Sequence, residues 1–141
     1  MVTGTNYSFN VFDIITGKSK LSICDNNDNL EFEFSNLVKL NETTIGSGES
    51  NLFIWNIITG TLYKKIVYQP QYQLNINIKL NNTQIVIGFK TYLTFWDINT
   101  GKFFKLVDTK VTDIRNLLKI NKFQILCGDY DGYNIIDILD S

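Results

Sequence analysis

Histidine and alanine are absent from this chain of 141 residues, proline occurs once and cysteine only twice. Each shortage removes a class of structure or chemistry. Without histidine there is no Ser-His or Cys-His nucleophile, and the commonest nitrogen ligand for a metal is missing. The lack of alanine, set against many β-branched and aromatic residues, disfavours helix. Cys24 and Cys127 stand far apart in no Cys-x-x-Cys motif and read as free, buried thiols of a reducing compartment. No apolar run approaches the roughly 20 residues of a membrane span. The opening "MVTGTNYSFN" has neither the basic nor the apolar segment of a signal peptide, so a cytoplasmic location without a membrane partner is expected. Acceptor patterns for glycosylation at Asn6, Asn41 and Asn81 read as chance matches in an Asn-rich chain. Thirteen basic residues against fourteen acidic leave a formal charge of -1, without the concentrated basic face that general nucleic-acid binding requires.

What is present is a repeat. "FNVFDIITGKSK", "FIWNIITGTLYKK" and "LTFWDINTGKFF" start at Phe9, Phe53 and Leu93. Three features keep one spacing. Asp13, Asn56, Asp97 and Asp137 are 43, 41 and 40 residues apart, and Gly4, Gly46, Gly88 and Gly128 are 42, 42 and 40 apart. "KLN", "KLN" and "KIN" begin at Lys39, Lys79 and Lys119, steps of 40. Agreement between unrelated features marks a true repeat, where one Thr-Gly would mean nothing.

Within one period the pattern is all strand. "LNINIKL" (74–80), "TQIVIGFK" (83–90), "YLTFWDI" (92–98) and "KFFKLV" (102–107) are separated by Asn- and Gly-bearing turns. "LFIW" and "LTFW" are apolar on both faces, as strands are when their sheet is covered on both sides. The acidic or amide residues Asp13, Asn56, Asp97 and Asp137 are expected to accept backbone hydrogen bonds in the turns that follow them.

Four-stranded antiparallel units of this period resemble the blades of the WD-repeat β-propeller family, whose third strand ends in Trp-Asp. The chain reads Trp96-Asp97, Trp55-Asn56, Phe12-Asp13 and Ile136-Asp137 at that place. The resemblance covers essentially the whole chain and implies an all-β, propeller-like array of about three four-stranded blades. It departs from the family at the Gly-His step, since no histidine exists to join the network with an Asp and the Trp. The family's Asp in the turn before the third strand appears only in "GDYDG", as Asp129 or Asp131, with Glu49 in "GSGES" as a substitute. The resemblance also implies that Trp55 and Trp96 are core residues.

Residues 1–141 read as a single such domain: a partial blade at 1–24, blades at about 29–68 and 72–108, and a terminal partial blade at 109–141. The last is expected to hold strands at 110–120, 122–128 and 132–139. Three blades cannot close a ring, which typically takes 4–8. Self-association, as a dimer in which residues 19–24 of one chain complete the sheet of 110–139 of the other, is therefore expected. A piece of a longer propeller is the other explanation.

Candidate sites are few. "DNNDNL" (25–30) lacks the Gly and the bidentate Glu of a calcium loop, and "GSGES" does not open a helix as a phosphate loop would. No cofactor, metal or catalytic set is expected. "YQPQYQ" has interaction character, with Tyr68, Tyr72 and Gln73 around the only proline, and Tyr130 in "GDYDG" is expected at a turn between second and third strands on the same rim. The expected function is a non-catalytic scaffold for a protein or peptide partner. A propeller binding small ligands or glycans is the alternative, as is a non-functional fragment of a longer propeller.

Overall fold

The computed structural model describes residues 1–4, 8–24, 35–48, 51–67 and 76–138, and no helix occurs among them. Two compact units divide the chain, Met1–Pro70 and Gln71–Ser141. In the first, β1 (Val2–Gly4), β2 (Ser8–Phe12) and β3 (Ser19–Cys24) form sheet I in that order. Sheet II follows as β4 (Val38–Lys39), β5 (Thr44–Ser47), β6 (Asn51–Asn56) and β7 (Leu62–Val67). In the second unit, β8 (Ile76–Lys79), β9 (Gln84–Phe89), β10 (Tyr92–Asp97) and β11 (Lys102–Asp108) make sheet III. Sheet IV is β12 (Asn116–Lys119), β13 (Gln124–Gly128) and β14 (Tyr133–Asp137). Every pairing is antiparallel between chain neighbours.

The repeated turns explain the repeated sequence. Asp13 Oδ1 accepts the amides of Ile15 and Thr16 at 2.9 and 3.0 Å, and Asn56 Oδ1 those of Ile58 and Thr59 at 2.8 and 3.1 Å. Asp97 Oδ1 takes the amide and hydroxyl of Thr100 at 2.7 and 2.8 Å. Gly17, Gly60 and Gly101 close these turns at φ of 68°, 76° and 70°, where a Cβ would crowd the following carbonyl. The Asp137 carboxylate accepts Gln124 Nε2 at 2.9 Å, and residues 139–141 after it lie outside the described residues. In the "KLN" turns, Asn41, Asn81 and Asn121 each receive the amide two residues on, at 2.8, 3.0 and 2.8 Å.

Each Asx-glycine turn is flanked by a one-residue slip. The ladder shifts between Val11 and Phe12, Ile54 and Trp55, and Phe95 and Trp96, leaving Lys20, Tyr63 and Phe104 as extra residues on the outer strand. Such bulges twist an edge strand away from further pairing. The glycines before the third strand serve packing instead. A Cβ on Gly88 would lie 2.9 Å from Ile114 Cγ2 and 3.1 Å from Ile76 Cγ2. Gly46 pairs with Ile54, two residues along the strand from the place of Gly4, Gly88 and Gly128 opposite Phe9, Leu93 and Tyr133. Continuing the ladder puts Gly48 opposite Leu52, so the true counterpart is the second glycine of "GSG".

Both units pack their sheets in one order. Counted from the repeated acidic or amide residue, Phe9 and Val11 hold positions -4 and -2 of β2, and with Ile23 they meet Phe53 and Trp55, positions -3 and -1 of β6. In the second unit Leu93 and Phe95, again -4 and -2, meet Ile125, Cys127 and Ile136 on the -3/-1 face of sheet IV. Within each unit the -4/-2 face of the first sheet thus meets the -3/-1 face of the second. This is a head-to-tail contact.

Two expectations are corrected. The segment 110–120 is strand only from Asn116. Before it Lys110 sits at φ 60° and the backbone leaves the ladder, while Val111 and Ile114 are buried in the core of the second unit. Cys24 is exposed, because on β3 alternate residues face outward and Ile23 takes the core side; only Cys127 is buried.

Candidate functional site

The turn carrying Tyr130 is built on one carboxylate. Asp129 Oδ1 accepts the amides of Asp131 and Gly132 at 2.8 and 3.0 Å, which closes the β13–β14 turn. Its Oδ2 accepts the hydroxyl and amide of Thr112 at 2.8 and 3.1 Å, tying the turn to the connection between β11 and β12. The Thr112 hydroxyl, followed by the Asp131 amide, holds the carboxyl well below its usual range, at about 2. Of the two acidic residues in "GDYDG", Asp129 is the acceptor.

The connection itself is fixed along its length. Thr109 donates its amide and its hydroxyl to Thr91 O, both at 2.8 Å, and its carbonyl receives Asn134 Nδ2 at 3.0 Å. Ile114 N donates to Lys90 O and Arg115 N to Gly128 O, both at 2.9 Å. On this support Arg115 lays its guanidinium over the Tyr130 ring, 4.6 Å from the centroid, and bonds Asp113 at 2.7 Å. Tyr130 remains 83% exposed. A stacked Arg-Tyr pair on a pinned turn offers a flat apolar face, a hydroxyl and a delocalised cation with little conformational freedom left to lose.

A second concave surface lies in the first unit. A cleft of about 770 Å³ is floored by Val11, Phe12, Leu21, Leu37 and Ile57 and edged by Lys20, Lys39 and Glu42. Its cations are matched, Lys20 by Asp13 at 3.0 Å and Lys39 by Glu42 at 2.8 Å. The Thr16 amide, ahead of Lys20 and the Ile15 amide, keeps the Asp13 carboxyl far below the usual carboxylate range.

Trp55 and Trp96 are buried and belong to the packing. Trp55 Nε1 donates to Ser47 Oγ at 3.1 Å and its ring meets Phe9 edge-on at 5.8 Å. Trp96 meets Phe103 at 5.6 Å. Tyr68, Tyr72, Gln73 and the "DNNDNL" segment lie outside the described residues. Thr112, Arg115 and Ser47 carry no motif. The Cys127 thiol is pushed up mainly by burial and sits in the core. No group of three His, Cys, Asp or Glu among the described residues could hold a metal ion. No family model matches the chain, and no curated protein matches it either.

Proposed function

We propose that the chain is a WD-repeat-like, propeller-type array whose sheets are its blades, and that it serves as a non-catalytic scaffold for a protein or peptide partner. The order of faces supports the architectural half. Blades of a propeller must each present one face forward and the other back, and both units obey that order. The Asp129–Thr112 pair also fits, as a histidine-free link between a blade's inner turn and the connection leading into it.

The observation that carries the binding half is the exposed Tyr130–Arg115 pair on its pinned turn. Tyr and Arg are, with Trp, the residues enriched among binding hot spots. Affinity capture with the wild type and with a Tyr130→Ala/Arg115→Ala double variant tests it, folding being checked by circular dichroism. Proteins retained by the wild type and lost from the folded double variant support the rim as the binding surface. Identical retained sets would overturn it.

The cleft favours a second reading, a small apolar ligand held in the first unit, since about 300–1,000 Å³ is the usual size of ligand sites. Its matched charges give no preference for an anion or a cation. Protection of the unit's amides from exchange by an apolar dye such as ANS would support it, and unchanged exchange would exclude it.

A further inference from the structure

The asparagine of each "KLN" or "KIN" turn holds the backbone, but the lysine two residues before it makes a different contact in each of sheets II, III and IV. In sheet II, Lys39 pairs with Glu42, three residues on, at 2.8 Å. In sheet III the same step ends at an amide, and Lys79 Nζ donates to Asn82 Oδ1 at 3.3 Å. In sheet IV it ends at a second cation, Lys122. Like charges at that spacing repel, and Lys119 turns to the neighbouring sheet, where its Nζ donates to Leu80 O.

Two ammonium groups are therefore anchored on one turn, at Leu80 and Asn82. A third stands on the adjoining β12–β13 turn, where Lys122 lies 4.6 Å from the Phe123 centroid. None of the three is matched by a carboxylate among the described residues. The described carboxylates at this end of sheets III and IV are Asp97 and Asp137. Asp97 accepts the Thr100 amide and hydroxyl and lies opposite Lys102 in the ladder, and Asp137 accepts Gln124 Nε2. Neutral donors stand among the lysines. Asn82 Nδ2 and the backbone amides of Asn82 and Lys122 belong to exposed residues and donate to no acceptor among the described residues.

We propose that this end of sheets III and IV binds a small, multiply charged phosphate compound, held by Lys79, Lys119 and Lys122 with the turn amides. An ammonium group has three donors, and Lys79 and Lys119 each use one on a neutral acceptor. Phosphate oxygens accept the remaining donors, and their charge supplies what the neighbouring carboxylates do not. The surplus is confined to two adjoining turns. It is too short for the basic track of a nucleic acid, and it falls below the cluster of about four to eight Lys and Arg that holds a lipid surface. The ligand is therefore free in solution. The site lies at the other end of β13 from Tyr130 and rests only on contacts inside the second unit, so it needs neither that rim nor the array reading of the sheets.

Titration calorimetry of the whole chain with inorganic tripolyphosphate at low salt tests it. The variants are Lys119→Gln, Lys119→Gln/Lys122→Gln and, as a control in the first unit, Lys18→Gln. The wild type is expected to bind, Lys119→Gln to bind about five-fold more weakly, and the double variant at least about twenty-fold more weakly. Lys18→Gln should match the wild type. Tripolyphosphate should also shift the amide signals of Asn82 and Lys122 in the wild type, a readout that decides the matter if a variant loses its β spectrum. A wild type that does not bind, or whose two amide signals stay in place, overturns the proposal. So does a folded double variant that binds like the wild type, or a Lys18→Gln variant weakened as much as Lys119→Gln. Vesicles carrying anionic phospholipid should not retain the chain. Retention that the double variant loses would make the ligand a lipid head group and overturn its assignment to solution. Failure here leaves the Tyr130 rim untouched, because the capture experiment changes other residues.

Discussion

The two units meet the same packing demand with different side chains. In the first, large rings on the sheets fill the space: Phe9 lies edge-on to Trp55, and Ser47 takes the indole N–H. In the second, the sheet IV side of the contact is aliphatic, and the volume comes from Val111 and Ile114 of the β11–β12 connection. Backbone order and face order are common to both, while the identity of the filler is not. Cores tolerate such exchange when total volume and patterning are kept.

The largest expected effect compares the two fillers directly. Trp55→Ala should cost about 3–5 kcal/mol, from a cavity and a lost hydrogen bond. Ile114→Ala should cost about 2–5 kcal/mol although it lies in a connection, where exposed substitutions usually stay within about 0.5 kcal/mol. Denaturant unfolding measures both. A near-neutral Ile114→Ala would mean that the connection does not fill the core and that the likeness of the units fails.

Crowded glycines come next. On Gly46 a Cβ would lie 2.9 Å from Leu52 Cδ1 and 3.0 Å from Val38 Cγ1, atoms of which the first can rotate away. At Gly88 the near atoms are Cγ2 groups fixed to the Cβ of Ile114 and Ile76. Gly88→Ala should therefore cost about 1–3 kcal/mol, and Gly46→Ala less. Equal losses would show that the backbone, not the side chains, gives way.

Turn glycines follow. Gly17→Ala meets nothing within 4 Å, so only its φ of 68° resists, worth about 1–2 kcal/mol. Gly60→Ala should lose slightly more, because Leu21 Cδ1 lies 3.2 Å from the new methyl.

The smallest effect concerns acid. Asp129 titrates at about 2 in the folded chain, below the roughly 3.9 of an unfolded aspartate. Its stabilisation is thus fully present above about pH 4 and is lost as pH falls toward 2. Asp129→Asn should flatten stability against pH in that window, measured by unfolding midpoints. An unchanged acid slope would place the titration elsewhere. Exposure to solvent keeps the effect modest.

The strands of the repeat were legible in sequence because recurring turn signals punctuate them, a "KLN" corner between the first and second strands and an Asx acceptor with its glycine between the third and fourth. The apolar runs "LFIW" and "LTFW" likewise announced strands buried on both faces. The start of β12 was not legible. "VTDIRNLL" alternates well enough to read as strand, and bonds of Thr109, Thr112 and Ile114, made to residues distant in sequence, hold its first half as a plug. Arg115 was hidden for the same reason, since its stacking on Tyr130 spans fifteen residues and two strands. Cys24 was misjudged because the habit of its residue type outweighed the alternation of its strand. The face order was invisible to periodicity. Alternation says that two faces exist but not which will meet.

The most direct test of the head-to-tail order is a double-mutant cycle between Phe9 and Trp55, which join sheet I to sheet II across 5.8 Å. Phe9→Leu and Trp55→Phe leave apolar side chains in place, so the chain should stay folded. Packing of the -4/-2 face on the -3/-1 face predicts a coupling of about 0.5–1.5 kcal/mol, the usual worth of an edge-on aromatic pair. Losses that add to within about 0.3 kcal/mol would mean that the rings do not touch. That result would contradict the order of faces on which the proposed architecture depends.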